Sequence, residues 1–216
     1  MNRTYKLKHH ANKGKMLKVI RTVQIYRKTA EAIALGQWKV FFKQGGFQKN
    51  LDVKRIESPL SERFKQTCQY QVVGTLSSFI SNRQNDFVDI VLRSSLDKTT
   101  RHKLLLINAF NLWQNTVPFS VIRCKLEIDK DAIKLARKIF KHVLSRHRRP
   151  SFKRINMALD SKVALTSERK PDGAMSFDYW IRLSTTDKGR PSYIPVSGNE
   201  HYETIPGERR NFCQIN

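Results

Sequence analysis

The sequence predicts an α+β chain in which a small β-domain is interrupted by a helical one. Three observations carry this: a short alternating segment at the N-terminus, apolar residues at three- and four-residue steps across most of 11–150, and a switch to period-two alternation after Pro150. The expected divisions are 1–10 for the first strand, 11–150 for the helical domain and 151–216 for the remaining strands. A lone strand needs a sheet to join, so residues 1–10 are expected to pair with the C-terminal strands.

Residues 3–9 alternate, with Tyr5 and Leu7 opposite Thr4, Lys6 and Lys8, as a short strand with a basic solvent face does. From Gly14, the stripe of Met16, Ile20, Val23, Ala30, Ala34, Trp38 and Phe41 predicts a long helix that Gly45-Gly46 ends. Ser58-Pro59 offers an N-cap followed by a first-turn proline, and Phe64, Cys68, Val72, Leu76 and Ile80 continue a second helix in which Gly74 and Ser77-Ser78 are weak points. A third runs from about Asp97 to Trp113, too apolar at Leu104, Leu105, Ile107, Leu112 and Trp113 for a surface helix. After Pro118, Asp129 and Asp131 sit where the positive end of a helix dipole favours acid, opening a fourth helix. Its buried face is Ala132, Ile133, Ala136, Ile139, Phe140, Val143 and Leu144. The opposite face carries Lys134, Arg137, Lys138, Lys141 and Arg148 and runs into Arg146-His147-Arg148-Arg149, the densest positive surface of the sequence.

Beyond Pro150, Ile155, Met157 and Leu159 alternate, then Val163 and Leu165, with Asp160-Ser161 as a turn between them. Phe177, Tyr179, Ile181 and Leu183 alternate again. Asp187-Lys188-Gly189 is a turn signal before Ser192-Tyr193-Ile194, which closes a hairpin, and Pro191 and Pro195 place that partner strand at an edge or bulge. The sequence holds no internal repeat or low-complexity tract.

Charge narrows the partners. The 216 residues hold 41 Lys+Arg against 18 Asp+Glu, a formal net charge of +23, while 39% hydrophobic content supplies a core and argues against a disordered basic tail. An excess of this size on a folded chain implies a polyanionic partner, nucleic acid first and an anionic membrane surface second. The absence of a long apolar run excludes a transmembrane helix, and the basic N-terminus lacks the apolar segment of a signal peptide, so a soluble, cytoplasmic protein is expected. Cys68, Cys124 and Cys213 are odd in number and form no CxxC pair, which favours idle thiols over zinc or disulfides.

Catalytic signatures are missing. No phosphate loop, dinucleotide loop, HExxH helix or GxSxG elbow occurs. His142 and His147 fall on different helix faces and His9-His10 are adjacent, so neither pair suits a metal. Metal-dependent phosphodiester cleavage needs converging carboxylates. Asp160 reads as a turn residue, Asp178 as an exposed strand residue, and Asp86 with Asp89 as neighbours on one helix face. No catalytic residue, metal site, cofactor or small-molecule substrate is assigned.

What the sequence does offer is cations interleaved with aromatics. The candidate nucleic-acid-binding residues are Arg3, Lys6, Lys8, Lys13, Lys15, Lys134, Lys138, Lys141, Arg148, Arg149, Lys153, Arg154, Trp180, Arg182 and Tyr193. Lysine and arginine bind phosphate with counterion release, and exposed rings stack on unpaired bases. A basic helix face also serves simply as a solvated face, and Trp38, Trp113, Phe177 and Tyr179 stand at core spacing. Trp180 alternates with Tyr179 and Ile181, which sends it off the apolar face, into a second core or onto a ligand.

The segment Phe177-Asp178-Tyr179-Trp180-Ile181-Arg182-Leu183-Ser184-Thr185-Thr186-Asp187-Lys188-Gly189-Arg190-Pro191-Ser192-Tyr193-Ile194-Pro195-Val196 resembles the strand, Lys-Gly turn and strand-ending-in-Pro hairpin of transposon-encoded RNA-guided nucleases of the TnpB type and the related type V CRISPR effectors. In that family a wedge (WED) β-barrel of oligonucleotide-binding character is split by a helical recognition (REC) domain, the layout argued above from periodicity. The resemblance implies guide RNA and target DNA as partners, the DNA flank and heteroduplex being read through backbone shape. It also implies nucleoid association when DNA is bound. Family members continue into a RuvC nuclease domain, often with a four-cysteine zinc element, and this sequence reaches Asn216 without either. The expectation is therefore a recognition half, truncated, decayed or split from a RuvC segment, with no catalysis of its own. Two alternatives stand beside it: a ribosomal-type RNA-binding protein, and a compact metal-dependent nuclease using Asp160 and Asp178.

Overall fold

The computed structural model describes residues 8–121, 126–160, 163–168, 177, 179–186, 191–197 and 214–215. Arg3, Lys6, Asp178, Cys124, Cys213 and the Asp187-Lys188-Gly189 turn lie outside them. The described chain is α+β, with helices α1 (Lys13–Gln44), α2 (Glu62–Leu92), α3 (Lys98–Ala109) and α4 (Lys130–Ser145). The strands are β1 (Lys8–His9), β2 (Phe119–Val121), β3 (Leu126–Ile128), β4 (Met157–Ala158), β5 (Ala164–Glu168), β6 (Tyr179–Leu183), β7 (Ser192–Ser197) and β8 (Gln214–Ile215).

Among the described residues all strand pairs are antiparallel. The largest sheet has the order β1-β7-β6-β5, while β2 pairs with β3 and β4 with β8. Lys8 lies opposite Ser197 and His9 opposite Val196, so the N-terminal strand joins one from near the end of the chain. Among the described residues the sheets are open and no closed barrel forms. β7 is an inner strand, which corrects the edge position expected from its prolines. The Pro195 carbonyl accepts from the His10 N–H at 2.8 Å. A residue's N–H and C=O point to the same side of a strand, so the missing N–H of Pro195 faces the two-residue β1, where little of the ladder is lost.

The chain divides into two compact units. One holds the described residues up to 31, 52–71 and those from 152 onward; the other holds 32–51 and 72–151. Both α1 and α2 give their first part to the first unit and the remainder to the second, so the expected helical span of 11–150 contains residues of both. In the first unit Val19, Val23, Tyr26, Phe64, Cys68, Met157, Leu159, Ile181, Leu183, Ile194 and Val196 are buried. The stripe of α1 therefore begins at Val19, while Ile20 is exposed. In the second unit the core is aromatic: Trp113 stacks on Phe140 with centroids 3.9 Å apart and planes within 3°, and Phe41 packs beside both.

Helix limits follow local chemistry. Ser58-Pro59 does not open α2; Ser61 does, its Oγ accepting from the Phe64 N–H at 3.4 Å. Neither Gly74 nor Ser77-Ser78 breaks that helix. Asp97 caps α3 through Thr100 N–H, but the helix stops at Ala109 rather than reaching Trp113, because Asn111 turns left-handed at φ 58° and leads into a single 3-10 turn. Gly45 ends α1 at φ 77°, its N–H donating to Phe41 O at 2.8 Å. The β2–β3 hairpin was not signalled by the sequence at all. Its two strands are three residues each, too short for alternation to register.

A Cβ added at Gly45 would lie 2.5 Å from the Asn111 carbonyl oxygen, whereas one at Gly36, mid-helix, meets nothing within 4 Å. Gly45→Ala is expected to cost about 1–2 kcal/mol or more and Gly36→Ala to gain about 0.5–1 kcal/mol in urea unfolding. Trp113→Ala, which empties the centre of the aromatic core, should cost about 3–5 kcal/mol. An unchanged midpoint in that variant would show that the stacked pair does not support the unit.

Candidate nucleic-acid interface

Antiparallel register sorts the first unit's sheet into two faces. Tyr179, Ile181, Leu183, Ile194 and Val196 share one, and the last four of these are buried. Trp180 and Arg182 of β6 share the other with their partners Pro195 and Tyr193, and Lys8, opposite Ser197, falls on that same side. Arg182 lies directly across from Tyr193, a cation beside an aromatic ring. Arg182 and Lys8 are exposed and Tyr193 is half-buried. Lys15, from the first turn of α1, places its Nζ 5.6 Å from the Trp180 ring centroid. Lys8, Arg182 and Tyr193 thus share the sheet face of Trp180, and Lys15 approaches its ring.

Trp180 itself is only 7% exposed, edge-on to Phe177. Of the two fates open to it, the structure shows burial, which leaves too little free ring for a base to stack upon. His10 packs on Phe177 with centroids 4.7 Å apart and shares a 2.6 Å hydrogen bond with the Ser197 hydroxyl, tying β1 to the end of β7. Lys13, Lys153 and Arg154 are exposed in this unit.

In the second unit, α4 presents Lys134, Lys138 and Lys141 to solvent at four- and three-residue spacing. Asp129 fixes where this row begins. Its carboxylate accepts from the Ala132 N–H at 2.8 Å and pairs with the Lys103 ammonium. The Lys103 hydrogen bond first, then that amide, hold its acid form down to a pKa of about 2. Lys134 also pairs with Asp131 at 3.1 Å. Arg137 leaves the row: Nε donates to Trp113 O at 2.9 Å and Nη2 to Asn115 O at 2.7 Å, so its charge closes the turn after α3. Helix α4 ends at Ser145, and Arg146, His147, Arg148 and Arg149 follow as an exposed non-helical run rather than as the helical stripe expected for Arg148.

The sequence reading missed an aromatic site beside that run. Arg149 sets its guanidinium 5.0 Å from the Trp38 ring centroid and 5.4 Å from that of Phe42. Those rings are 5.7 Å apart and 22° from parallel. The available signal was the Phe41-Phe42 pair, since adjacent helical residues cannot both face the core.

Two of the candidate carboxylates, Asp160 and Asp86, are paired with cations. Asp160 pairs with Arg63. Asp86 meets Arg83 at 2.6 Å and His147 at 3.2 Å. Asp86, Asp89, Ile90, Val143, Arg146 and His147 line a pocket of about 270 Å³ whose basic residues oppose a metal ion. Among the described residues no group of three or more His, Cys, Asp or Glu is placed to hold a metal. Cys68 is buried, and burial pushes its thiol up to about 12, so it stays protonated at neutral pH. No described helix is long and apolar enough to cross a membrane.

The Asp129 geometry gives a pH test. Its folded pKa lies below the unfolded value near 4, so the stabilisation is complete above about pH 5 and is lost as pH falls through about 2. Asp129→Ala should cost about 1 kcal/mol at pH 7. Asp129→Asn keeps a capping oxygen but not the ion pair, and should cost about 0.5 kcal/mol, a modest amount because the carboxylate is half exposed. Its deficit should vanish between about pH 4 and pH 2; a deficit independent of pH would show that the Lys103 pair contributes nothing.

No family model, curated protein or solved structure matches the chain.

Proposed function

We propose that this chain is a nucleic-acid-binding module, the recognition portion of a TnpB-like, type V CRISPR-like RNA-guided DNA endonuclease, binding guide RNA and target DNA. The observation that carries the reading is the sheet face that Lys8, Arg182 and Tyr193 share with Trp180, whose ring Lys15 approaches, built from strands near both ends of the chain. Lysine and arginine there would take phosphate and Tyr193 would meet a ribose or base. That the four helices lie in sequence between the paired β1 and β7 would suit a wedge domain split by a recognition domain. On this reading the four-stranded sheet and the β4–β8 pair are parts of an oligonucleotide-binding-type barrel. The module binds and positions, and cleavage belongs to a RuvC segment outside these residues. It would work in the cytoplasm, on the nucleoid when DNA is bound.

The row on α4 supports the same reading from the second unit. Lys138 and Lys141, with Arg148 beyond the helix, are exposed and have no role in the core. Replacing all three by Gln should weaken binding to any RNA alike and reduce the slope of log K against log salt by roughly 2, at about 0.7–0.9 per phosphate contact. An unchanged slope would remove α4 from the interface.

The family reading is tested by expressing the chain with its native flanking DNA, purifying it at moderate salt and sequencing the RNA that accompanies it. One enriched RNA ending at a transposon boundary, or carrying a repeat-derived scaffold, is the expected result. Ribosomal RNA as the enriched species would favour the ribosomal-type reading, and no enrichment would overturn both.

A further inference from the structure

Most aromatic rings of the second unit are spent on its core; Phe42 and Phe110 are exposed, and of these two only Phe42 has a cation set against its ring. It is 39% exposed, against 6% for Trp38 and 1% for Phe41. Exposure of a single ring is ordinary; what sets Phe42 apart is the cation placed against it. Arg149 lies against it, and also against Trp38, from a non-helical segment that is itself exposed. Cation-π contacts at exposed sites are weak, so the guanidinium is placed beside the rings without being locked there. Lys39 and Lys43, three residues before Phe42 and one after it on α1, are exposed, as are Arg146 and Arg148 beside Arg149. The surroundings of the ring are cationic, which argues against an apolar protein partner and for a polyanion with flat faces.

We propose that the step formed by Phe42 and Arg149 is a stacking site for an unpaired base of a single-stranded RNA segment, with Lys39, Lys43 and Arg148 taking the flanking phosphates. The inference rests on the nucleic-acid-binding reading and deepens it, assigning this surface to single-stranded rather than duplex RNA. The guanidinium lies over two nearly parallel rings and adds a second flat group to the same surface, and bases stack on both ring faces and guanidinium planes. Stacking needs an unpaired base, because paired bases are already covered by their neighbours. The site therefore discriminates by strandedness, which the lysine row on α4 cannot do.

The test compares wild type, Phe42→Leu and Arg149→Lys on three labelled RNAs of equal phosphate count per strand: oligoadenylate of about 15 nucleotides, oligouridylate of the same length, and a blunt duplex. Leucine keeps the bulk and lysine keeps the charge, so each variant removes chiefly the π surface. Each should bind oligoadenylate on the order of tenfold more weakly and lose wild type's preference for adenylate over uridylate. Duplex affinity should stay within about twofold and the salt slope should not change. Wild-type affinity for oligoadenylate in both variants, or an equal loss on the duplex, would overturn the stacking site while leaving the nucleic-acid reading in place. Failure of the wild-type chain to bind any of the three would overturn that reading itself, and this site with it.

Discussion

The pairing of β1 with β7 is the constraint on which the topology depends. Two residue pairs, Lys8 with Ser197 and His9 with Val196, join parts of the chain nearly its whole length apart. A two-residue ladder is a weak closure alone, and the neighbouring contacts reinforce it: the His10 N–H on Pro195 O, the His10 ring on Ser197, and the same ring against Phe177. Loop-closure entropy grows only slowly with length, so the long insertion is tolerable once the rest of the chain has folded. Such a contact raises the contact order of the chain, which slows folding. The basic sheet face inherits that dependence. Lys8 reaches the side of Arg182 and Tyr193 only through this register, and a one-residue slip would turn it to the apolar face.

The charge excess is divided between structural and free cations. Arg27 donates to Ile155 O at 3.0 Å, buried Lys65 to Ile56 O at 2.7 Å, and Arg137 to two carbonyls after α3. Arg63, Arg83 and Lys103 are matched by Asp160, Asp86 and Asp129. These cations are engaged by backbone oxygens or by acids of the chain itself. A count of lysine and arginine therefore overstates what is offered to a ligand. Arg137 shows the point most clearly: by spacing it belongs to the α4 row, yet its neighbours Lys134, Lys138 and Lys141 are exposed and it is not.

Much of the fold was legible in the sequence, and the failures have physical causes. Phe64, Cys68, Val72, Leu76 and Ile80 of α2 are buried as read, because a long amphipathic helix repeats its signal many times, while the buried Val73, Phe87 and Val91 were not picked out. Asp129 was legible as a cap because that role is local. The limits of α2 and α3 were not, since Ser58 and Ser61 are both plausible starts, and the stop after Ala109 depends on the left-handed Asn111 lying against Gly45, far away in sequence. At the candidate site, exposure of Lys8, Arg182 and the α4 lysines followed from periodicity. The burial of Trp180 and the meeting of Arg149 with Trp38 and Phe42 did not, because each is made by residues from distant segments.

The two kinds of contact offered by these surfaces differ in what they can recognise. Phosphate contacts from lysines on one helix face are insensitive to sequence and to strandedness, and they weaken steeply with salt. Contacts between rings or guanidinium planes and bases are less dependent on salt and require the base to be unpaired. A surface of the first kind alone would bind any polyanion, which is a liability in a cell crowded with nucleic acid. Combining it with the second lets binding at physiological salt, where the electrostatic term is reduced, be decided by unpaired bases. On the proposed reading, the basic row would supply encounter and affinity, and the Phe42–Arg149 site would supply the preference among RNAs.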